Sequence, residues 1–329
     1  MRRPGVRLRG WMGVGFTAAL TLFTAFVLLD TFVIPHPYAV VPAEIPVTAG
    51  STGADPVVED PPLAGPVGTA PASPDVLTPA ASMCGLAPQT DTVTYADPVR
   101  AIAVSSYRVT GTDVYVADIV VSDPAVIKTA FADNTYGRNV TAVTSSIAAA
   151  NEAVLAVNGD FYGARTSGYV VRDKQVYRAK AAAADQEDLA VLEDGTWRII
   201  REGDVTAADL VAQGVVDVFN FGPGLVEDGH TSVGTGTEVD RAKASNPRTA
   251  IAQVGALHYL FVVADGRTSQ SAGLSLTQLG DFLAGCGAQT AYNLDGGGSS
   301  TMWFQGQVVN VPTDGKSQSE RKVSDIVYV

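Results

Sequence analysis

The sequence predicts an α+β fold, in which a mixed and largely antiparallel sheet with short packing helices forms a single extracytoplasmic domain behind an N-terminal transmembrane helix. Three observations lead to this prediction. Apolar runs of strand length outnumber runs with helical periodicity. Most connections between these runs are only as long as hairpin turns. A long uncharged stretch precedes the folded part, and no internal repeat divides the 329 residues into similar units.

The N-terminus has the charge pattern of a membrane anchor. Residues 1–10 contain four arginines, and residues 11–34 contain no charged side chain except Asp30. A bilayer is crossed by about 20 apolar residues, whereas the apolar region of a cleaved signal usually has about 7–15. We therefore interpret residues 11–34 as a retained signal-anchor, with a cleaved signal as the alternative. No Lys or Arg occurs between Asp30 and Val99, so the positive-inside rule predicts a single-pass protein of the cell membrane with a cytoplasmic N-terminus.

Residues 35–94 differ in composition from the rest of the chain. They are rich in proline and in small and acidic residues. Such a segment buries too little apolar surface to offset the entropy lost on ordering, and its prolines keep it extended. We expect a stalk or linker here, with the folded domain at residues 95–329.

Within that domain, the elements follow from periodicity and turn chemistry. Hairpin turns are expected at 111–113, 173–174, 194–195 and around Gly255. Strands are expected at 154–157, 215–221 and 291–294. Helices are expected at 141–150, at 207–213 and after a capping box formed by Ser275 and Gln278.

Cysteine content and net charge narrow the function classes. Cys84 and Cys286 are the only cysteines, and outside the membrane they either form one disulfide or remain separate thiols. Their spacing excludes a cysteine-based metal site. The net charge of −12 argues against a nucleic acid partner, for which a basic surface is expected. An anionic substrate therefore needs locally placed arginines.

The most informative stretch lies between the predicted strand at 291–294 and the apolar run at 302–304. Asp295 comes first, and it is followed by Gly296, Gly297, Gly298, Ser299, Ser300 and Thr301. Consecutive glycines leave the backbone N–H groups unshielded and adopt positive φ at low cost, which suits a concave anion-binding site. A carboxylate, bare amides and hydroxyls within one turn suit both a polyol and a phosphate.

Other kinds of catalytic site lack the residues they need. The chain has three histidines, His36, His230 and His258, and their spacing is not that of a zinc site. No lysine follows the glycines as in a nucleotide-binding P-loop, and Gly297 to Thr301 departs from the nucleophile-elbow pattern at its last position. Carboxylate and arginine chemistry remains.

Four predicted strand ends deliver polar residues beside glycine or proline. They are Asn158-Gly159-Asp160, Asn246-Pro247-Arg248-Thr249, Asp265-Gly266-Arg267 and Asn293-Leu294-Asp295-Gly296-Gly297-Gly298. In this order, and with the closing Arg321-Lys322-Val323-Ser324-Asp325, they resemble the motif series of the phosphodiester glycosidase family. The resemblance runs from about residue 95 to residue 329.

The resemblance implies a hydrolase that cleaves the glycosidic bond of a sugar-1-phosphodiester in cell-surface or extracellular glycans, such as an exopolysaccharide or wall polymer. Its candidate catalytic residues are Asp295, Asp160 and Arg248. Its candidate substrate-binding residues are Asn158, Asp265, Arg267, Asn293, Gly296, Gly297, Gly298, Ser299, Ser300 and Thr301. We expect no cofactor. The sequence leaves open whether a structural or catalytic calcium or magnesium ion is bound.

Two other functions compete with this hypothesis. The first is a non-catalytic module that binds an envelope polysaccharide, because related folds can lose chemistry while keeping the pocket. The second is a phosphodiesterase with a divalent ion held by Asp160, Asp265 and Asp295.

Overall fold

The computed structural model describes residues 6–38, 84–233 and 244–329, and it describes the side chains of the first helix from Phe16 onward. Most of the predicted stalk and the first half of the predicted basic tail lie outside these residues. The predictions for those segments therefore stay predictions.

The described part of the chain contains many short strands and few helices. In chain order the first strands are β1 (His36–Pro37), β2 (Val93–Asp97), β3 (Arg100–Val109), β4 (Thr112–Val121), β5 (Lys128–Phe131), β6 (Gly137–Arg138), β7 (Ala142–Val143), β8 (Leu155–Asn158), β9 (Val170–Arg172), β10 (Gln175–Arg178) and β11 (Glu187–Leu192). The others are β12 (Trp197–Arg201), β13 (Val215–Phe219), β14 (Gly224–Glu227), β15 (His230–Thr231), β16 (Arg248–Gly255), β17 (His258–Ala264), β18 (Thr290–Asn293), β19 (Met302–Phe304), β20 (Gln307–Val308), β21 (Lys322–Val323) and β22 (Asp325–Tyr328). The helices are α1 (Val6–Phe32), α2 (Thr144–Ala150), α3 (Ala207–Ala212) and α4 (Leu276–Gly285).

Three sheets organise the domain, rather than the single predicted sheet. The largest has eight strands in the order β15-β14-β18-β16-β17-β4-β3-β2. Two five-stranded sheets have the orders β20-β19-β8-β22-β5 and β10-β9-β13-β11-β12. Among the described residues every strand pair is antiparallel. The antiparallel character is confirmed, and the predicted parallel component is not found there.

The core lies between the eight-stranded sheet and the two smaller ones. Side chains of a strand alternate between its two faces, and β17 shows the consequence. Phe261 and Val263 join the core between the sheets. Leu260 and Val262 face the opposite way and pack in a second cluster with Leu279 of α4. Helices α2 and α3 cover the outer faces of the smaller sheets in the same manner.

The predicted helices and hairpins are found, with shifted ends. Helix α4 begins with the expected capping box, in which Ser275 Oγ accepts from the Gln278 backbone N–H and the Gln278 side chain accepts from the Ser275 backbone N–H. Helix α2 begins at Thr144 rather than at residue 141. The reason is tertiary, because β7 immediately before it pairs with β21. This pairing takes up backbone that local propensity would place in the helix.

Helix α1 is docked at its C-terminal end onto the domain. Asn139 Nδ2 donates to the carbonyl oxygens of Thr31 and Ile34 at 3.1 Å each. Asp30 forms an ion pair with Arg138, and β1 pairs with β6. Among the described residues, no helix combines the length and apolar character needed to cross a membrane. That finding includes the side chains of α1 only from Phe16 onward.

Cys84 and Cys286 form a disulfide across a sequence separation of 202 residues. The bond fixes the chain before β2 to the C-terminal end of α4. Of the two alternatives open from the sequence, the structure shows the bridge. Disulfides persist in oxidising compartments, and the extracytoplasmic location stays a prediction.

Removing the disulfide is expected to cost about 2–5 kcal/mol of unfolding free energy, because a long loop is then free in the unfolded chain. The double variant Cys84→Ala/Cys286→Ala serves as the test. Alanine is preferred to serine because Cys286 is buried, and a serine there would place a hydroxyl group in the core. Urea unfolding should show the same loss for this variant and for wild-type protein treated with reductant. A wild-type transition that reductant leaves unchanged contradicts the bridge.

Candidate active site

The residues that the sequence analysis identified lie where the ends of several strands come together. Asn158 links these strand ends by hydrogen bonds. Its side chain is fully buried at the end of β8. The Asn158 amide nitrogen donates to the Asp295 carbonyl oxygen at 2.7 Å. Its Oδ1 accepts from Thr249 Oγ1 at 2.8 Å and from the Thr301 backbone N–H at 3.2 Å. Asn158 therefore fixes the backbone of the Asp295 loop relative to β8 and β16, and its polar atoms are used within the protein.

Asp160 lies in a buried ionic cluster beneath this loop. Its Oδ2 accepts from Arg172 Nη2 at 3.2 Å and from the Asn220 backbone N–H at 2.9 Å. Arg172 also donates to Asp325 Oδ2 at 2.8 Å. Burial raises the pKa of Asp325, and the charge of Asp160 adds to that rise while Arg172 opposes it. The cluster thus holds two carboxylates around one guanidinium in a site shielded from water.

Asp265 is also engaged by the protein. It follows β17 and is only 3% exposed. Its Oδ1 accepts from Asn310 Nδ2 at 3.0 Å and from the Val311 backbone N–H at 3.1 Å. Burial raises the pKa of Asp265 to about 6, against the opposing effect of these hydrogen bonds. The carboxylate holds the segment after β20 against the end of β17.

Two of the three glycines allow guanidinium groups to lie close to the backbone. A Cβ on Gly297 would lie 2.8 Å from Arg267 Nη2, and a Cβ on Gly298 would lie 2.7 Å from Arg321 Nη2. Gly297 also has φ +65°, a value that favours glycine. Arg321 is further held by Asp314, whose Oδ1 accepts from its Nε at 2.9 Å. The loop needs glycine here because the two arginines occupy the space of a side chain.

Arg248 lies beside the same loop at the start of β16. It is 7% exposed, and it donates from Nε to the Leu274 carbonyl oxygen at 3.0 Å and from Nη2 to that of Ala244 at 2.9 Å. Burial and the neighbouring Arg267 lower its pKa to about 10. Two positive charges are thus held close together, which favours an anion between or beside them.

A further arginine near Asp295, Arg165, was missed by the sequence analysis. Arg165 Nη1 donates to the carbonyl oxygen and to Oδ1 of Asn220, at 3.1 and 3.0 Å. Its guanidinium lies 5.1 Å from the centre of the Phe221 ring. The Asn220 amide nitrogen donates in turn to buried Asp188 and Glu202. Arg165 is therefore held in a fixed position by stacking and by hydrogen bonds.

Asp295 is half-buried near these arginines. Burial raises its pKa to about 6, and the Ser299 hydroxyl, the charge of Arg321, the Gly296 backbone N–H and the charge of Arg165 oppose that rise. Asp295 thus changes protonation state at about pH 6, with two positive charges acting on it. Perturbed carboxylates of this kind are concentrated at functional sites.

The hydroxyls after the glycines point away from solvent. Ser300 and Thr301 are at most 1% exposed, and the hydroxyl oxygen of each makes no hydrogen bond to a described residue. The same holds for the side-chain oxygen of Asn293, whose amide nitrogen donates to the Gly222 carbonyl oxygen at 2.8 Å. Buried polar atoms without partners are rare in native proteins. The oxygens of Asn293, Ser300 and Thr301 together form a buried polar layer at the Asp295 loop.

The structure therefore brings the predicted residues to one place and gives them different surroundings. Asp295, Gly296, Gly297 and Arg267 are at least partly accessible, whereas Asn158, Asp160, Asp265, Asn293, Arg248, Gly298, Ser299, Ser300 and Thr301 are buried. The sequence analysis missed Arg165, Arg172 and, as site residues, Arg321 and Asp325. The last two stand in the closing motif, which was the available signal for them. Among the residues that the structure describes, no group of three or more histidine, cysteine, aspartate or glutamate side chains is arranged to hold a metal ion.

Comparison with protein families decides the assignment. The family model described as "Phosphodiester glycosidase" matches residues 151–329, more than half of the chain. The chain belongs to the phosphodiester glycosidase family. The matched residues include Asn158, Arg165, Arg248, Asp295 and Arg321, so both sides of the Asp295 loop lie within the part that defines the family.

The individual proteins that this chain resembles are distant from it in sequence. The SPbeta prophage-derived uncharacterized protein YomE of Bacillus subtilis is 29% identical over 190 residues, which cover 56% of this chain and 29% of that protein. The chain thus spans less than a third of that relative. The zebrafish N-acetylglucosamine-1-phosphodiester alpha-N-acetylglucosaminidase catalytic domain, auto-inhibited by its pro-peptide, matches with a TM-score of 0.56 and 19% identity over 73% of this chain and 87% of that domain. A hypothetical protein from Synechocystis matches with a TM-score of 0.52 and 15% identity over 73% of this chain and 64% of that one. At these identities the two structures are similar in fold.

Proposed function

We propose that the protein is a hydrolase that cleaves the glycosidic bond of a sugar-1-phosphodiester. The observation that supports this function best is the position of Asp295. It is a half-buried carboxylate at the start of a glycine loop, and the charges of both Arg321 and Arg165 act on it. A carboxylate serves the anomeric carbon, where positive charge develops, and arginines serve the phosphate, where negative charge develops.

The chemical step follows from these charges. The bond between the anomeric carbon and the phosphate oxygen breaks, and its electron pair stays on that oxygen. The leaving group is a phosphate monoester, an anion that needs little protonation, so Arg248, Arg267 and Arg321 stabilise the charge that develops on it. The oxygen of water joins the anomeric carbon and its proton is released. Asp295 acts in its ionised form, either as the base for that water or as the first nucleophile.

Asp160 takes a different role in this proposal from the catalytic one expected from the sequence. Both of its oxygens accept hydrogen bonds within the protein, from the Tyr162 backbone N–H, Arg172 and the Asn220 backbone N–H. We assign Asp160 to positioning, because it fixes Arg172 and the segment that holds Arg165. Asn158 and Asp265 position the loops in the same way.

The pH profile of kcat/KM is expected to rise through about pH 6 and level off above it. Asp295 must be ionised to act, and its pKa is raised to about 6, so activity falls about tenfold per pH unit below that value. The matched control is Asp265→Asn, because the pKa of Asp265 is also raised to about 6. The acid limb should persist in this variant. A profile that falls as pH rises through 6 contradicts an ionised Asp295.

Turnover of defined substrates tests the function. Full-length protein should release free sugar from a panel of sugar-1-phosphodiesters that includes an N-acetylglucosamine-1-phosphodiester, the substrate type named for the zebrafish relative. The same panel with simple alkyl glycosides should give little release, because those leaving groups require a proton donor. Saturable binding of the whole panel without release of sugar favours a polysaccharide-binding module instead.

We further propose that residues 11–34 anchor the protein in the cell membrane and that the domain acts on glycans outside the cytoplasm. The uncharged run, the four N-terminal arginines and the disulfide support this location. Protease added to intact cells should remove the domain. A domain that stays protected until the cells are lysed contradicts the proposal.

A further inference from the structure

Phe161 is an exposed aromatic residue next to the site, and the fold keeps it exposed. Its side chain is 42% exposed. In the described chain from Cys84 onward, the other exposed large apolar residues are aliphatic: Leu86, Val93, Val99 and Val311. Its two chain neighbours, Asp160 and Tyr162, are 2% and 1% exposed. Phe161 is thus an exposed residue between two buried ones, on the loop that follows β8.

Contacts of the two neighbours make this loop rigid. Asp160 Oδ1 accepts from the Tyr162 backbone N–H at 3.0 Å and ties the two residues together. The Tyr162 ring stacks on Tyr136 at 5.2 Å between centroids and meets the edge of Phe131 at the same distance. Turning Phe161 inward would break these contacts. The backbone that presents the Phe161 ring is thus fixed in place, which lowers the entropy cost of binding on it.

The loop also joins the site directly. Gly159, two residues before Phe161, accepts the Asp295 backbone N–H at 3.3 Å. Arg165, four residues after Phe161, is stacked on Phe221 and acts on the charge of Asp295. The β8 side of the site, formed by the loop that carries Phe161 and Arg165, is therefore aromatic with one fixed arginine. The glycine side, where Arg267 and Arg321 lie against Gly297 and Gly298, is cationic.

We propose that the two sides bind the two halves of the substrate separately, with Phe161 as the platform on which the sugar ring stacks and Arg267 and Arg321 as the clamp for the phosphate. This inference rests on the proposed function and assigns an orientation to its substrate. A pyranose presents an apolar face of C–H groups that covers an aromatic ring, and its hydroxyls remain free for Arg165. Phe161 is then a specificity-determining residue, because it selects a ring-shaped group at the anomeric side.

Direct binding of the two halves tests this assignment without requiring turnover. The probes are N-acetylglucosamine, glucose and inorganic phosphate, titrated by NMR into full-length protein in detergent. Phe161→Ala should weaken binding of the better sugar roughly five- to tenfold, the effect of losing one aromatic contact, and leave phosphate binding within about twofold. Arg321→Gln should weaken phosphate binding by a similar factor and leave the sugar unchanged. Phe161→Trp should restore sugar binding, and Val99→Ala should change neither.

Three results would overturn the inference. They are sugar binding unaffected by Phe161→Ala, loss of both ligands to the same extent in Phe161→Ala, and no measurable sugar binding by the wild type at tens of millimolar. A failure of the proposed function is detected differently, as the absence of sugar release from the sugar-1-phosphodiesters. Protein that binds the two halves as described and releases no sugar supports the two-sided site and contradicts hydrolysis.

Discussion

Asp295→Asn is expected to lower kcat/KM by about 10²–10⁴ and to leave the melting temperature within about 2 °C of wild type or slightly above it. The substitution keeps the volume of the side chain and removes its charge. Burial already disfavours the ionised form, since it raises the pKa of Asp295 to about 6. The charge therefore costs stability at neutral pH, and removing it should not unfold the protein. Activity is measured with the best phosphodiester of the panel, and stability by thermal unfolding at pH 7.

The matched control is Asp228→Asn. Asp228 lies in the turn between β14 and β15 with φ +49°, a conformation that asparagine adopts readily. This variant should match wild type in both measurements. Normal turnover by Asp295→Asn means that the carboxylate is not catalytic. Unfolding of Asp295→Asn means that its main role is to support the glycine loop.

Arg172→Met is expected to cost about 3–5 kcal/mol of unfolding free energy at pH 7, the second large effect. Arg172 is 4% exposed and is shared by Asp160 and Asp325. Burial acts to lower its pKa, but the two carboxylates outweigh this and hold it above the usual value. Methionine has a similar volume and no charge, so it leaves two buried carboxylates uncompensated.

The pH dependence of that loss is a second readout. Burial raises the pKa of Asp325 and Arg172 opposes that rise, so without Arg172 this pKa should be raised further in the folded state, whereas it stays near its usual value in the unfolded chain. The folded variant then binds more protons, so its stability falls as pH rises and the deficit should be smaller at pH 5 than at pH 8. Replacing Asp160 and Asp325 by asparagine in the same chain should recover much of the loss. A deficit independent of pH would show that packing, not charge, dominates.

The sequence was informative wherever a signal was local. The capping box of α4, the hairpin turns and the polar strand ends depend on neighbouring residues, and the structure shows each of them. Sheet partners are not local, so the division into three sheets and the late start of α2 could not be predicted. For the same reason Asp160 could be predicted to lie at a strand end, but not to pair with Arg172 on β9.

The arginines show the same limit at the site. Arg248 and Arg267 stand within the polar strand-end motifs and were recognised. Arg165 belongs to no motif, and its role follows only from contacts with Asn220 and Phe221. Arg321 stands in the closing motif, but its position against Gly298 depends on how the C-terminal strands pack. A chain with net charge −12 thus places four arginines near one loop, at Asp295 and its glycines, which composition alone does not reveal.

The central claim is that the bond between the anomeric carbon and oxygen breaks, and the fate of the water oxygen tests it most directly. Hydrolysis of the best sugar-1-phosphodiester is carried out in water enriched in oxygen-18, and both products are analysed by mass spectrometry as soon as they form. We predict that the label enters the released sugar at its anomeric hydroxyl and is absent from the phosphate product. Label in the phosphate would show that the phosphorus–oxygen bond breaks instead, and the protein would then be a phosphodiesterase rather than a glycosidase.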